Sequence, residues 1–156
     1  MKKTLLTLLL LVLVQGLFAQ QAQRVFEAFS NEKKAHYTLA TGALIDLAGK
    51  KVSDNNVAAV LKDVKSARLL RLDDCKKRVR KKFYKQILSL EKDNAYTEYA
   101  RTKNNNVDAL VLIKKDAELI HEIVVYTAMN SLCVGVLVTG SINQEDLDAI
   151  IDTVRD

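Results

Sequence analysis

Four stretches in succession, residues 95–102, 107–113, 119–126 and 132–139, are rich in β-branched and aromatic side chains and separated by only a few residues each. Stretches of that length and composition read as strands. The breaks are Asn104-Asn105-Asn106, Lys114-Lys115-Asp116 and Met129-Asn130, and Asn accepts the left-handed backbone that tight turns need. Connections this short leave no room for a crossover, so neighbouring strands must run antiparallel. The chain is thereby committed to a C-terminal four-strand meander. Its last strand is apolar on both sides, with Leu132, Val134, Val136 and Val138 facing one way and Cys133, Gly135 and Leu137 the other. That pattern places it centrally. The strand from Leu119 alternates Glu118 and Glu122 with Leu119, His121 and Ile123, which predicts one wetter face near its start.

Upstream the periodicity changes. His36 to Gly42 reads as a short strand, and residues 43–50 as a brief helix with Leu44, Leu47 and Ala48 on one face, closed by Gly49. Asp54 offers an N-cap to a helix carrying Val57, Val60, Leu61 and Val64 at helical spacing. Residues 66–72 read as a strand inside the sheet. Asp73 and Asp74 are then expected to cap a long helix, residues 75–91, whose apolar stripe is Cys75, Val79, Phe83, Ile87 and Leu90. After the meander, Leu147, Ile150, Ile151 and Val154 form the stripe of a final helix, with Ser141 and Gln144 spaced as a capping box and Asn143 as the other candidate cap. The expected class is α+β: a largely antiparallel sheet with helices packed mainly on one face.

The N-terminus has another character. Lys2 and Lys3 precede a Leu-rich run through Val14, and Gly16-Leu17-Phe18-Ala19 precedes a Gln-rich start. This is the order of a secretory signal peptide, residues 1–19, with cleavage expected after Ala19. The run is shorter than the roughly 20 residues of a permanent transmembrane helix. No Cys stands at the cleavage point, so free export is expected over lipid anchoring. Residues 20–34 are polar apart from Val25, Phe26 and Phe29, as a docking helix or a loosely held segment would be, and residues 35–156 are expected as one domain. Without Lys2 and Lys3 the net charge of +5 falls to about +3. So small an excess does not call for nucleic acid. Of the two cysteines, Cys75 and Cys133, both fall on apolar faces. Free buried thiols are the first reading there, with a disulfide the alternative in an oxidising compartment.

Recognisable chemistry is sparse. His36 and His121 lack a second His or Cys at ligand spacing, so no metal site is expected. No Gly-x-Ser-x-Gly turn or Gly-rich phosphate loop occurs. A Cys133–His121 pair across neighbouring strands would be the only nucleophile arrangement, and alternation argues instead for an inert thiol. Glu118 and Glu122, joined by Glu98, form the one candidate carboxylate group. The most distinctive feature is the long helix, where Lys77, Arg78, Lys81, Lys82 and Lys85 crowd one side beside Tyr84, with Lys76 and Arg80 at its borders. Such a surface suits an acidic protein patch or an anionic surface, and the plain alternative is a solvated helix face.

The segment from Leu69-Leu70-Arg71-Leu72-Asp73, through the basic helix and Tyr96-Thr97-Glu98-Tyr99, to Leu110-Val111-Leu112-Ile113 and Leu137-Val138-Thr139-Gly140-Ser141-Ile142 resembles the family called domain of unknown function 4252. Those are exported proteins and candidate lipoproteins of Gram-negative bacteria. The resemblance implies an envelope or secreted α+β domain and supplies no catalytic residues; the missing Cys at the signal junction sets this chain apart from the lipoprotein members. Together these observations point to a non-enzymatic binding module without a cofactor, its partner an envelope protein or anionic surface met through Lys77, Arg78, Lys81, Lys82, Lys85 and Tyr84. A small-molecule carrier with a pocket between sheet and helices is the alternative, and an enzyme the least supported.

Overall fold

The computed structural model describes residues 20–92 and 95–155, with side chains as far as Asp152. The expected signal segment, residues 1–19, lies outside the described residues. Six strands form one antiparallel sheet: β1 (His36–Thr41), β2 (Val64–Arg71), β3 (Thr97–Lys103), β4 (Val107–Asp116), β5 (Leu119–Met129) and β6 (Leu132–Asn143), in the order β1-β2-β6-β5-β4-β3. The meander is β3 to β6, and the doubly apolar β6 lies inside, between β2 and β5. Strands β4, β5 and β6 continue past the expected ends. The turn placed at Lys114-Lys115-Asp116 falls instead at Ala117-Glu118, with Ala117 in the left-handed region (φ 51°). Pairing survives the intervening charges because the ladder takes a register shift at Lys114/Lys115 and at Ile120/Glu122.

Register sorts the side chains into two sets. Tyr37, Leu70, Gly135, Tyr126 and Leu110 are directly opposed across five strands and share one face. Thr38, Leu69, Val136, Val125 and Val111, one step along, share the other. On the first face lie α1 (Gln21–Ser30) and α4 (Lys77–Lys92), which bury Ala22, Phe26 and Phe29, and Phe83, Ile87 and Leu90. On the second lie α2 (Gly42–Gly49), α3 (Asn55–Lys62) and α5 (Gln144–Arg155), around Ile45, Val60 and Leu147. The helices are therefore not gathered mainly on one face. The cause is in the strands: Ile113, Ile120, Ile123 and Ile142 form a second buried cluster, which needs its own cover.

Local chemistry accounts for the helices, with some corrections. Asp54 caps α3, its Oδ1 accepting from the backbone amides of Asn56 (2.8 Å) and Val57 (3.2 Å). Helix α2 buries Ile45 and leaves Leu44 and Leu47 at 58% and 57% exposure, so the expected face is rolled outward. Ser141 is part of β6, and α5 starts at Gln144 with Glu145 and Asp146 in its first turn, which suits the helix dipole. Val154, expected on the same stripe, lies outside the described side chains. Helix α4 begins at Lys77, after Cys75. Asp73 does not cap it. Its Oδ1 accepts from the backbone N–H of Cys133 at 2.7 Å and its Oδ2 from Arg71 Nη2 at 2.6 Å, so it ties the end of β2 to the start of β6.

The length of α4 follows from topology. It carries the chain from β2 to the far-edge strand β3, across four strand spacings or about 19 Å, and a 16-residue helix spans about 24 Å. Where it crosses β6 the strand has Gly135. A Cβ there would stand 2.6 Å from Phe83 Cζ and 3.1 Å from Phe26 Cζ. The Phe26 and Phe83 rings meet edge to face at 5.7 Å.

Two outcomes follow from this packing. Gly135→Ala should lower stability by about 1–3 kcal/mol in urea unfolding, and pairing it with Phe83→Leu should recover part of that loss; strict additivity of the two would show that they are not in contact. Asp73 offers a pH test. Burial works to raise its pKa, but the Cys133 amide, the Arg71 hydrogen bond and the Arg71 charge outweigh it and hold the carboxyl below its ordinary 3.8. A carboxyl depressed by folding stabilises above the unfolded pKa, and that contribution is lost as pH falls through the folded value. Asp73→Ala should thus cost about 1–3 kcal/mol at neutral pH and less in acid, and an equal cost at both would remove the charge from the account.

Candidate functional site

Phe83, Ile87 and Leu90 fix the roll of α4 on the sheet, and the basic residues inherit their direction from that. Lys77, Arg78, Lys81, Lys82 and Lys85 are all exposed and line a shallow concavity of about 480 Å³ along the outer side of the helix. None of them takes part in an ion pair among the described residues. This is a cationic strip without ion-pair compensation among the described residues. Tyr84 is placed differently. It turns toward the sheet edge, its ring 4.9 Å from that of Tyr126, with Lys103 Nζ 5.8 Å from the ring centroid.

Beside the strip is a groove of about 330 Å³ between α4 and the β5–β6 hairpin, with Lys77, Arg80 and Lys81 on one wall and Tyr84, Tyr126 and Ala128 among its lining. The groove exists because two small residues, Ala128 and Cys133, are directly opposed beneath the first turns of the helix. Arg80 reaches across it. Its Nη1 donates to the Ser131 carbonyl at 3.2 Å, while its Nε is buried without a hydrogen-bond partner among the described residues. Arg80 was a border residue in the sequence, and the hairpin residues carried no signal there, because which strand residues a helix overhangs depends on its crossing angle.

The remaining candidate groups are dispersed. Cys75 and Cys133 are both free and buried. Burial pushes the Cys133 thiol up to about 11, with Arg80 opposing and Asp73 adding to the rise, which suppresses the thiolate. Cys133 is opposed by Ala128, whereas exposed His121 lies at the other end of β5. That pair is not assembled. Nor is the carboxylate group: Glu98 pairs with Arg101 at 2.8 Å, Glu118 is exposed in the turn, and the register shift turns Glu122 inward to 8% exposure. Glu122 accepts a 2.5 Å hydrogen bond from the Tyr96 hydroxyl and lies 3.6 Å from Lys114 Nζ. Burial first, then the hydrogen bond and charge of Glu122, push the Tyr96 hydroxyl far up, with the Ala22 backbone amide pulling the other way. The expected wetter face at the start of β5 is thus a satisfied internal ionic contact. Among the described residues no group of three His, Cys, Asp or Glu is placed to hold a metal ion, and no helix is long and apolar enough to cross a membrane.

Searches of curated proteins and of solved structures give no match. A family model does match, bearing out the resemblance read from the strand and helix pattern. It is described as Domain of unknown function (DUF4252) and covers residues 29–150, from the end of α1 into α5, so the chain belongs to that family.

Proposed function

We propose that the protein is an exported, non-enzymatic binding module of the cell envelope or its surroundings, and that the outer side of α4 is its contact surface. The observation that carries the reading is the strip of Lys77, Arg78, Lys81, Lys82 and Lys85, exposed together and without ion pairs among the described residues. Clustered like charges repel one another, and an acidic partner relieves that repulsion. The basic, apolar and small-residue order of residues 1–19 supports export. The alternative of a small-molecule carrier has the groove beside α4 and a depression of about 380 Å³ between α2 and α3, lined by Ile45, Gly49, Ala58 and Leu61, to draw on, since the centre of the α4–sheet interface is filled by Phe26 and Phe83.

Two measurements test this. N-terminal sequencing of the protein recovered from outside the cytoplasm should begin at Gln20, and recovery of the uncleaved chain from the cytosol alone would end the export reading. The triple variant Lys77→Glu, Lys81→Glu, Lys85→Glu should lose retention on an acidic protein matrix such as immobilised polyglutamate, and retention of the parent should fall with salt as the Debye length shrinks from about 10 Å at 0.1 M to about 3 Å at 1 M. Each exposed substitution should shift stability by no more than about 0.5 kcal/mol. Undiminished retention of a folded variant would overturn the assignment to α4.

A further inference from the structure

The strip and the groove meet along one ridge, because Lys77 and Lys81 line both. On one side of the ridge is charge alone. On the other, the same ammonium groups stand over a floor with Tyr84, Tyr126, Ala128 and Leu132, and Arg80 lies at its wall with a buried Nε that has no hydrogen-bond partner among the described residues. Past Ala128 and Asn130 a second depression of about 360 Å³ continues to Met129, which is 43% exposed, and to the Asn104-Asn105-Asn106 turn. A cationic wall over an apolar and aromatic floor is a complement to an acidic segment with an apolar side chain among its carboxylates.

From this we propose that the groove between α4 and the β5–β6 hairpin is a recognition site for an acidic peptide segment of a partner protein, with carboxylates on Lys77, Lys81 and Arg80 and one apolar or aromatic side chain seated over Ala128 between Tyr126 and Leu132. The inference rests on the binding-module reading and goes further by naming the chemistry of the partner. Its volume stands near the lower end of the roughly 300–1,000 Å³ of small-molecule pockets, which suits a side chain or two. A bilayer is a poor fit. The strip presents lysines and an arginine to a flat surface, while the apolar atoms lie recessed in the groove where a membrane does not reach. A purely anionic polymer would leave the aromatic floor without a counterpart.

The test is fluorescence anisotropy at low salt with two labelled peptides, one of glutamates around a single phenylalanine and one of glutamates alone, beside phosphatidylglycerol vesicles. Removing one Phe side chain from water favours binding, so the Phe peptide should bind at least about tenfold more tightly to the full chain. Ala128→Phe, which fills the floor, should erase that advantage and leave the residual affinity of the all-Glu peptide; Ala128→Met, a milder filler, should reduce it if the larger change fails to fold. Lys77→Glu with Lys81→Glu should abolish binding of both peptides. Equal binding of the two peptides, or an advantage that survives a folded Ala128 variant, would overturn the groove while leaving the basic strip in place. Binding of vesicles but of neither peptide would overturn it in favour of a lipid surface. Failure of both peptides and of the vesicles would remove the groove and the binding role of α4 together.

Discussion

The contact between the Phe83 ring and the bare backbone of Gly135 decides more than its own area. A side chain on β6 at that point would lift α4 from the sheet. Its absence lets the helix settle, and Phe26 closes on Phe83 from the neighbouring helix. With Phe83, Ile87 and Leu90 turned down, helical geometry leaves Lys77, Arg78, Lys81, Lys82 and Lys85 no direction but outward. The cationic surface is therefore a consequence of core packing. Conversely, where the floor changes from Leu and Tyr to Ala128 and Cys133 the helix has nothing to rest on, and a groove opens beside the same lysines.

Three layers follow from the composition of the inner strands. An antiparallel sheet with one polar face needs helices on one side only, but β4, β5 and β6 alternate between two apolar sets. Long α4 and short α1 cover the first. The second is covered by α2, α3 and α5, shorter pieces that leave Leu44 and Leu47 facing outward. Its flank is thus the less completely closed of the two.

The α+β class, the four-strand meander, the interior position of β6 and the basic side of α4 were all legible, because each rests on periodicity within a continuous segment. What escaped depends on contacts between segments. Asp73 stood where a helix cap belongs, yet its carboxylate is taken by an amide sixty residues later in the chain, that of Cys133. Leu44 and Leu47 have the spacing of a buried stripe, but the helix docks through Ile45. Glu118 and Glu122 looked like neighbours on one face until a register shift between Ile120 and Glu122 separated them. The lysines and Arg78 of the candidate site were likewise readable, whereas the groove was not, since its floor comes from a hairpin more than forty residues further on.

Glu122 also bears on how the sheet finds its alignment. Strands as evenly apolar as β5 and β6 pair almost as well one residue out of step as in step, so hydrophobicity alone discriminates weakly between the two. A slip would carry this carboxylate away from Tyr96 and Lys114 and among the isoleucines of the opposite face, where its desolvation has no compensation. One buried acid thus works as an index mark for the ladder, because only the native register leaves it beside both Tyr96 and Lys114.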